Sequence, residues 1–265
     1  MKKRTKVIFY EDELNDEFSD AGIIPRKIDE NYSYKGGAFR KIGHIFWYHM
    51  IAVPMAYLFL FIKYRHKIVN RKLLKEVKGS YFLYGNHTNV LADPLIPNII
   101  SRPKDMYIIV HPDNVSMPFL GRITPCLGAV PLPDDGKAAK NFMFYIKDKI
   151  EKGSPVTIYP EAHIWPYYTG IRPFNDTSFG YPLKYNVPVY CFTNTYQRRK
   201  YSKRPQIITY VDGPFFADKN LSKKEQKQSL RNQVYETMLD RSKNSNLELV
   251  RYIKKEKNKA IKNGF

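Results

Sequence analysis

The stretch Gly85-Asn86-His87-Thr88-Asn89-Val90-Leu91-Ala92-Asp93-Pro94 places an imidazole and a carboxylate just beyond the apolar run Tyr81-Phe82-Leu83-Tyr84. An imidazole accepts a proton near neutral pH, and a carboxylate on its other ring nitrogen holds the tautomer and stabilises the imidazolium. A second ionisable pair, Glu161 and His163, follows the run Val156-Thr157-Ile158-Tyr159 and Pro160. One histidine after one strand says little. Two such pairs, each just past a strand, say more, because open α/β sheets bind ligands outside the carboxyl ends of their strands. If the two strands are neighbours, His87 and Glu161 face one cleft, and His87 becomes a candidate general base with Asp93 as its partner.

The elements that would position these residues are legible as alternating patterns. Met106 to Val110, Pro155 to Tyr159, Val187 to Thr193 and Gln206 to Val211 read as strands. Ala138 to Lys152 carries helical spacing through Phe142, Ile146 and Ile150, and Asp93 with Pro94 reads as a helix start. Ser222 and Glu225 have capping-box spacing ahead of the stripe Leu230, Val234 and Met238. The expected fold class is α/β: a mixed sheet flanked by helices, with a membrane-associated helical segment before it.

Four regions are expected: an N-terminal arm at 1–41, a membrane-associated helical segment at 42–75, the α/β domain at 76–215 and basic helices at 216–265. From Ile42 to Ile62 there is no Lys, Arg, Asp or Glu, and 21 residues make a helix about one hydrocarbon core long. Basic residues flank both ends, which a helix or kinked helix pair dipping into one anionic leaflet explains better than a single pass does. The 265 residues carry 44 Lys plus Arg against 25 Asp plus Glu, a net charge of +19. The partners expected from that surplus are anionic, a membrane surface foremost. A nucleic-acid partner is set aside, because no nucleic-acid motif accompanies the charge. With 43% hydrophobic residues the chain is no disordered tail, and its two cysteines form neither a disulfide framework nor a metal-ligand pattern. No cleaved leader is expected, since Val7 to Tyr10 is too short for one. His44, His49, His66 and His111 have no spacing that converges on a metal, so no metal site is expected. A serine nucleophile is excluded, as no G-x-S-x-G elbow occurs.

The order of these motifs resembles the glycerolipid acyltransferase superfamily, the PlsC-like 1-acylglycerol-3-phosphate acyltransferases. Asn86, His87 and Asp93 answer that family's N-H-x4-D block, Gly128 to Leu132 its middle glycine block, and Tyr159-Pro160-Glu161-Ala162 its F-P-E-G-T-R block. Val187-Pro188-Val189 answers its later V-P-V strand, and Arg172-Pro173-Phe174 with Gly180 is similar to its basic-aromatic-glycine stretch. The resemblance covers roughly residues 76 to 215. It implies a membrane-bound O-acyltransferase at the cytoplasmic face of the cell membrane, in which His87 is the base on an acceptor hydroxyl that attacks the thioester of acyl-CoA or acyl carrier protein. Asp93 would orient His87, and no cofactor is implied beyond that co-substrate. The substrate-binding set it implies is Asn86, Gly128, Pro160, Glu161, Ala162 and His163, with Arg122 and Arg172 as candidate cations. The implied acceptor is a lysophospholipid, 1-acylglycerol-3-phosphate first.

Three departures bear on that reading. Five residues separate His87 from Asp93 where the family has four, and on a helix one extra residue turns a side chain by about 100°. The dyad therefore requires the extra residue to bulge in the loop before Pro94. The two arginines that the family uses toward the acceptor phosphate fall at Pro133 or nearby and at Ile164, which carry no charge. Arg122, Lys137, Lys140 or Arg172 would have to substitute. Otherwise the acceptor lacks a phosphate, or the chain is a lipid-binding homologue without catalysis. His163 and Trp165 are expected either to line the acceptor pocket or to pack beside it.

Overall fold

The computed structural model describes residues 5–19 and 22–255. In chain order its strands are β1 (Lys6–Tyr10), β2 (Lys67–Val69), β3 (Phe82–Gly85), β4 (Tyr107–Val110), β5 (Ala129–Pro131), β6 (Val156–Ile158), β7 (Val189–Arg199), β8 (Ser202–Phe215) and β9 (Val250–Lys254). β2 to β8 form one mixed sheet in the order β2-β8-β7-β3-β6-β4-β5, with β7 and β8 antiparallel and every other pair parallel. The expected α/β class and mixed sheet are observed.

Period-two alternation divides the interior into two cores, one on each face of the sheet. Phe82 and Tyr84 of β3, with Val189 and Cys191 of β7, face one core, which the helices Gly136–Glu151 and Lys223–Ser242 cover through Phe142, Ile146, Ile150, Leu230, Val234 and Met238. Tyr81 and Leu83, with Tyr190 and Phe192, face the other, beneath Ala56, Leu60 and Tyr64 and the short helix Ile96–Ile100. Strands covered on both sides are apolar throughout, which is why β3 is buried at every position. The capping box of Ser222 and Glu225 forms as its spacing predicts.

The apolar segment is one helical rod, Ala38–Tyr64, long and apolar enough to cross a membrane. It is α-helical at Ala38–Gly43 and Val53–Tyr64, with a π-helical section at His44–Ala52 between them. Pro54, which has no N–H to donate, stands in the first turn of the later α-helical section. Phe39, Ile42, Ile45, Met50, Met55, Leu58, Phe61 and Ile62 leave most of their surface exposed along the rod.

Other expectations are revised. The described part of the arm packs on the domain: Ile28 is wholly buried in the first core with Tyr32 and Tyr34, and β1 pairs in parallel with β9. The segment 216–265, expected as basic helices, holds one helix and then strand β9, while 256–265 lies outside the described residues. Asp93 does not cap the following helix, which starts at Ile96 with Leu95 as its N-cap.

Candidate active site

His87 stands in the loop just past the carboxyl end of β3. Gly85, the last residue of β3, lets the Phe192 ring approach closely, since a side chain there would collide with it. β3 lies between β7 and β6 in the sheet, so the loop after β3 and the loop after β6 leave the same edge side by side. The strands are neighbours as expected, but Glu161 is buried behind the β3 loop, bonded to backbone amides, and does not share an open cleft with the His87 ring.

The extra residue between His87 and Asp93 is absorbed in a turn, where the Asp93 N–H donates to the Asn89 carbonyl at 2.9 Å. That turn aims the carboxylate back at the loop. Asp93 Oδ2 lies 2.9 Å from His87 Nδ1 and also accepts the N–H groups of Thr88 and Asn89, each at 2.8 Å. Its other oxygen accepts from Asn194 Nδ2 at 3.4 Å. Asp93 is wholly buried, and every one of these contacts suits an acceptor-only carboxylate. The Tyr159 ring stacks on the imidazole at 4.3 Å, and its hydroxyl donates to the Asp93 backbone carbonyl at 2.5 Å. Burial pushes the Tyr159 phenol well up, so it remains a neutral donor. Held by Asp93 on one nitrogen and by Tyr159 on one face, the His87 side chain is 17% exposed, which leaves Nε2 as the atom able to meet an acceptor hydroxyl.

Behind the loop stands a second buried pair. Glu161 Oε2 accepts the His87 backbone N–H and Oε1 accepts that of Arg172, both at 3.2 Å. Arg172 donates through Nη2 to the carbonyls of Glu161 and His163, and through Nη1 to that of Glu13. Burial dominates for both partners, pushing the Glu161 carboxyl up and the Arg172 guanidinium down despite their mutual attraction. The pair is held by its backbone bonds more than by its charge.

Several expected site residues thus form the frame of the cleft and not its lining. Asn86 exchanges two hydrogen bonds with the Asn194 backbone, tying β3 to β7. Arg172 is only 1% exposed, with its donors turned to carbonyls, and so does not face an acceptor. Gly128 sits at the opposite end of the sheet: Ala129 pairs with Ile108 and Tyr107 with Val156, which puts Gly128 level with Phe82 and not with His87. Its φ of +90° and the crowding of the Met106 carbonyl explain a glycine there. Arg122 stands exposed on the short helix Leu120–Ile123, which packs on its flanking 3-10 turns. Beside Pro133, Asp134 accepts the Ile28 N–H at 2.5 Å and so holds the arm. Lys137 pairs with Glu30, and Lys140 lines a surface concavity of about 550 Å³ at the start of the helix Gly136–Glu151, a feature separate from the His87 cleft.

Near the cleft, Pro160 is half-buried, Ala162 is exposed at a φ of +63°, and His163 lies 3.3 Å from Glu17 of the arm. Trp165 packs beside the cleft: it is buried among Tyr10, Phe18 and Tyr252, and its indole N–H donates to the Asp16 carbonyl at 2.8 Å. The roles of Tyr159, Asn194 and the arm had no signal in the motif spacing. Of the remaining histidines, His44 and His49 come together with Asp105 so that one ligand atom of each lies within 4.8 Å of the others.

The acyltransferase family model matches residues 65–193, a span that contains His87, Asp93, Glu161 and Arg172. No curated protein matches the chain. Among solved structures, the crystal structure of the 1-acyl-sn-glycerophosphate (LPA) acyltransferase PlsC from Thermotoga maritima is 14% identical, with a TM-score of 0.48 over 76% of this chain and 79% of that one. Over residues 65–193, just under half of the chain, the sequence is thus similar to the acyltransferase family.

Proposed function

We propose that the protein is a membrane-bound O-acyltransferase that moves a fatty acyl chain from acyl-CoA or acyl carrier protein to the hydroxyl of a lipid acceptor. The observation that carries the reading is the 2.9 Å contact between His87 Nδ1 and Asp93 Oδ2, which leaves His87 Nε2 as the base. Nε2 takes the proton of the acceptor hydroxyl, the oxygen attacks the thioester carbonyl, and the tetrahedral intermediate collapses with loss of the thiolate. The proton held by His87 then passes to the departing sulfur, so the imidazole ends as it began. Asp93 supports the transient imidazolium. Val90 and Leu91, 48% and 49% exposed on the turn between the two residues, give the cleft an apolar rim suited to a lipid substrate. The exposed apolar side of the rod Ala38–Tyr64 would enter the cytoplasmic leaflet, where the +19 charge favours anionic lipid.

The acceptor that the family resemblance implies is 1-acylglycerol-3-phosphate. A second reading, a neutral or zwitterionic lysolipid or a glycolipid hydroxyl, is favoured by a specific observation. Arg172 is engaged by three carbonyls, and the positions at Pro133, Asp134 and Ile164 carry no cation. The deciding experiment offers labelled acyl-CoA and acyl carrier protein with a panel of lysolipids and glycerol phosphates to wild type and His87→Ala. Transfer that falls by about 10²-fold or more in the variant supports the base role. The acceptor used distinguishes the two readings. Lipid binding with no His87-dependent transfer to any acceptor would instead mark a binding protein.

A further inference from the structure

His44 and His49 lie five residues apart. In an α-helix that spacing separates two side chains by about 140°. The section His44–Ala52 is π-helical, and its i→i+5 winding stacks each residue close to the one five before it. Both imidazoles therefore reach one carboxylate at the start of β4: Asp105 Oδ2 lies 3.3 Å from His44 Nε2 and 3.4 Å from His49 Nε2. These separations are long for charge-assisted hydrogen bonds, which run at about 2.7–2.9 Å. They match two edges of a tetrahedron around a metal ion, since ligand atoms about 2.05 Å from such an ion stand about 3.3 Å apart, and the third pair of ligand atoms lies within 4.8 Å. At the right angles of an octahedral ion the same atoms would stand about 2.9 Å apart.

We propose that His44, His49 and Asp105 form a divalent-metal site of the zinc class that clips the apolar rod to the α/β domain. The outer contact of His44 suits it. His44 Nδ1 lies 2.6 Å from the Cys126 carbonyl, so it carries the proton and leaves Nε2 as a neutral ligand. The three side chains are between 19% and 33% exposed, leaving room for water as a fourth ligand. Arg102 is the competing cation: its Nη1 lies 3.2 Å from His49 Nδ1 and 3.6 Å from Asp105 Oδ1. When Nε2 binds a metal, Nδ1 of His49 must carry a proton, so the guanidinium moves off the ring and keeps only Asp105 Oδ1. A site of this kind places a fixed point near one end of the rod, independent of the acyl-transfer reading.

The test uses the full chain, stripped with a chelator and titrated with Zn²⁺ by calorimetry and with Co²⁺ by visible absorption. The expected result is one ion per chain, with the intense Co²⁺ bands of tetrahedral coordination. His49→Ala and Asp105→Asn should each weaken binding by at least about tenfold, while His111→Ala leaves it unchanged. Arg102→Gln, which removes the competing cation, should tighten binding several-fold, a change that general loss of packing would not produce. Absence of stoichiometric binding, binding indifferent to both ligand variants, or a weak octahedral spectrum would each overturn the proposal. The cluster would then be a hydrogen-bond network centred on Asp105.

Discussion

Asp93 Oδ2 accepts from His87 Nδ1 and, with the same oxygen, from the amides of Thr88 and Asn89, so one buried atom sets both the imidazole and the loop that carries it. Asp93→Asn keeps the size but replaces one carboxylate oxygen by a donor. It should lower kcat by about 10²–10⁴-fold and cost about 1–3 kcal/mol of stability through unpaired buried amides. His87→Gln should lower kcat comparably with a smaller loss of stability, since among the described residues the His87 side chain makes one hydrogen bond, to Asp93, besides its stacking on Tyr159. Paired kinetics and urea unfolding separate the two effects, and an Asp93→Asn variant with wild-type turnover would exclude the dyad.

Arg172 offers a cleaner contrast. If the guanidinium serves the frame, Arg172→Met should destabilise the protein by about 3–5 kcal/mol, because Glu161 is left buried with its partner removed. If it bound the acceptor, the same change would raise KM and leave unfolding nearly unaltered. Denaturant midpoints and acceptor KM, measured together, decide between these. The positions of Glu161 and the three carbonyls lead us to expect the first outcome.

Ala162 holds a φ of +63° with a β-carbon that makes this conformation costly. Ala162→Gly should relieve the strain and stabilise the protein by up to about 1 kcal/mol, the gain being reduced by the added freedom of glycine in the unfolded chain. Thermal unfolding of the two proteins checks it. A marked loss of stability would mean that the Ala162 methyl group makes contacts that outweigh the strain.

His66 sets a pH dependence. Its Nε2 lies 2.8 Å from Thr209 Oγ1, whose own hydroxyl can donate to Asn194 Oδ1 at 2.6 Å, and burial lowers its pKa from 6.5 to about 4. Above pH 6.5 both folded and unfolded chains carry a neutral ring. Between 6.5 and about 4 only the unfolded chain takes up the proton, so stability falls with pH across that window, by up to about 3 kcal/mol. Unfolding free energies measured from pH 7.5 to 4 should show this slope, and His66→Gln should remove it.

Much of the site was legible because its signals are local. The apolar run into Gly85 specifies a buried strand, and the same pattern before Pro160 specifies its neighbour. Helical spacing at Phe142, Ile146 and Ile150 specifies a covering helix. Each is a matter of period two or 3.6, which a few consecutive residues encode. The extra residue before Asp93 was ambiguous for the same reason, since a spacing counts residues but does not say where a turn absorbs one.

By itself the sequence determined the class of fold, the helix long enough for a membrane, and His87 with Asp93 as the candidate pair. Only the tertiary structure decided that Arg172 serves carbonyls from the arm and the cleft loop, that Gly128 lies at the far end of the sheet, and that β1 meets β9 across nearly the whole chain. It also decided that His44 and His49 share a face. The reason is physical: local periodicity sets which way a side chain leaves its own element, whereas its partner is set by strand order, loop packing and helical winding, and these depend on contacts between residues far apart in the chain.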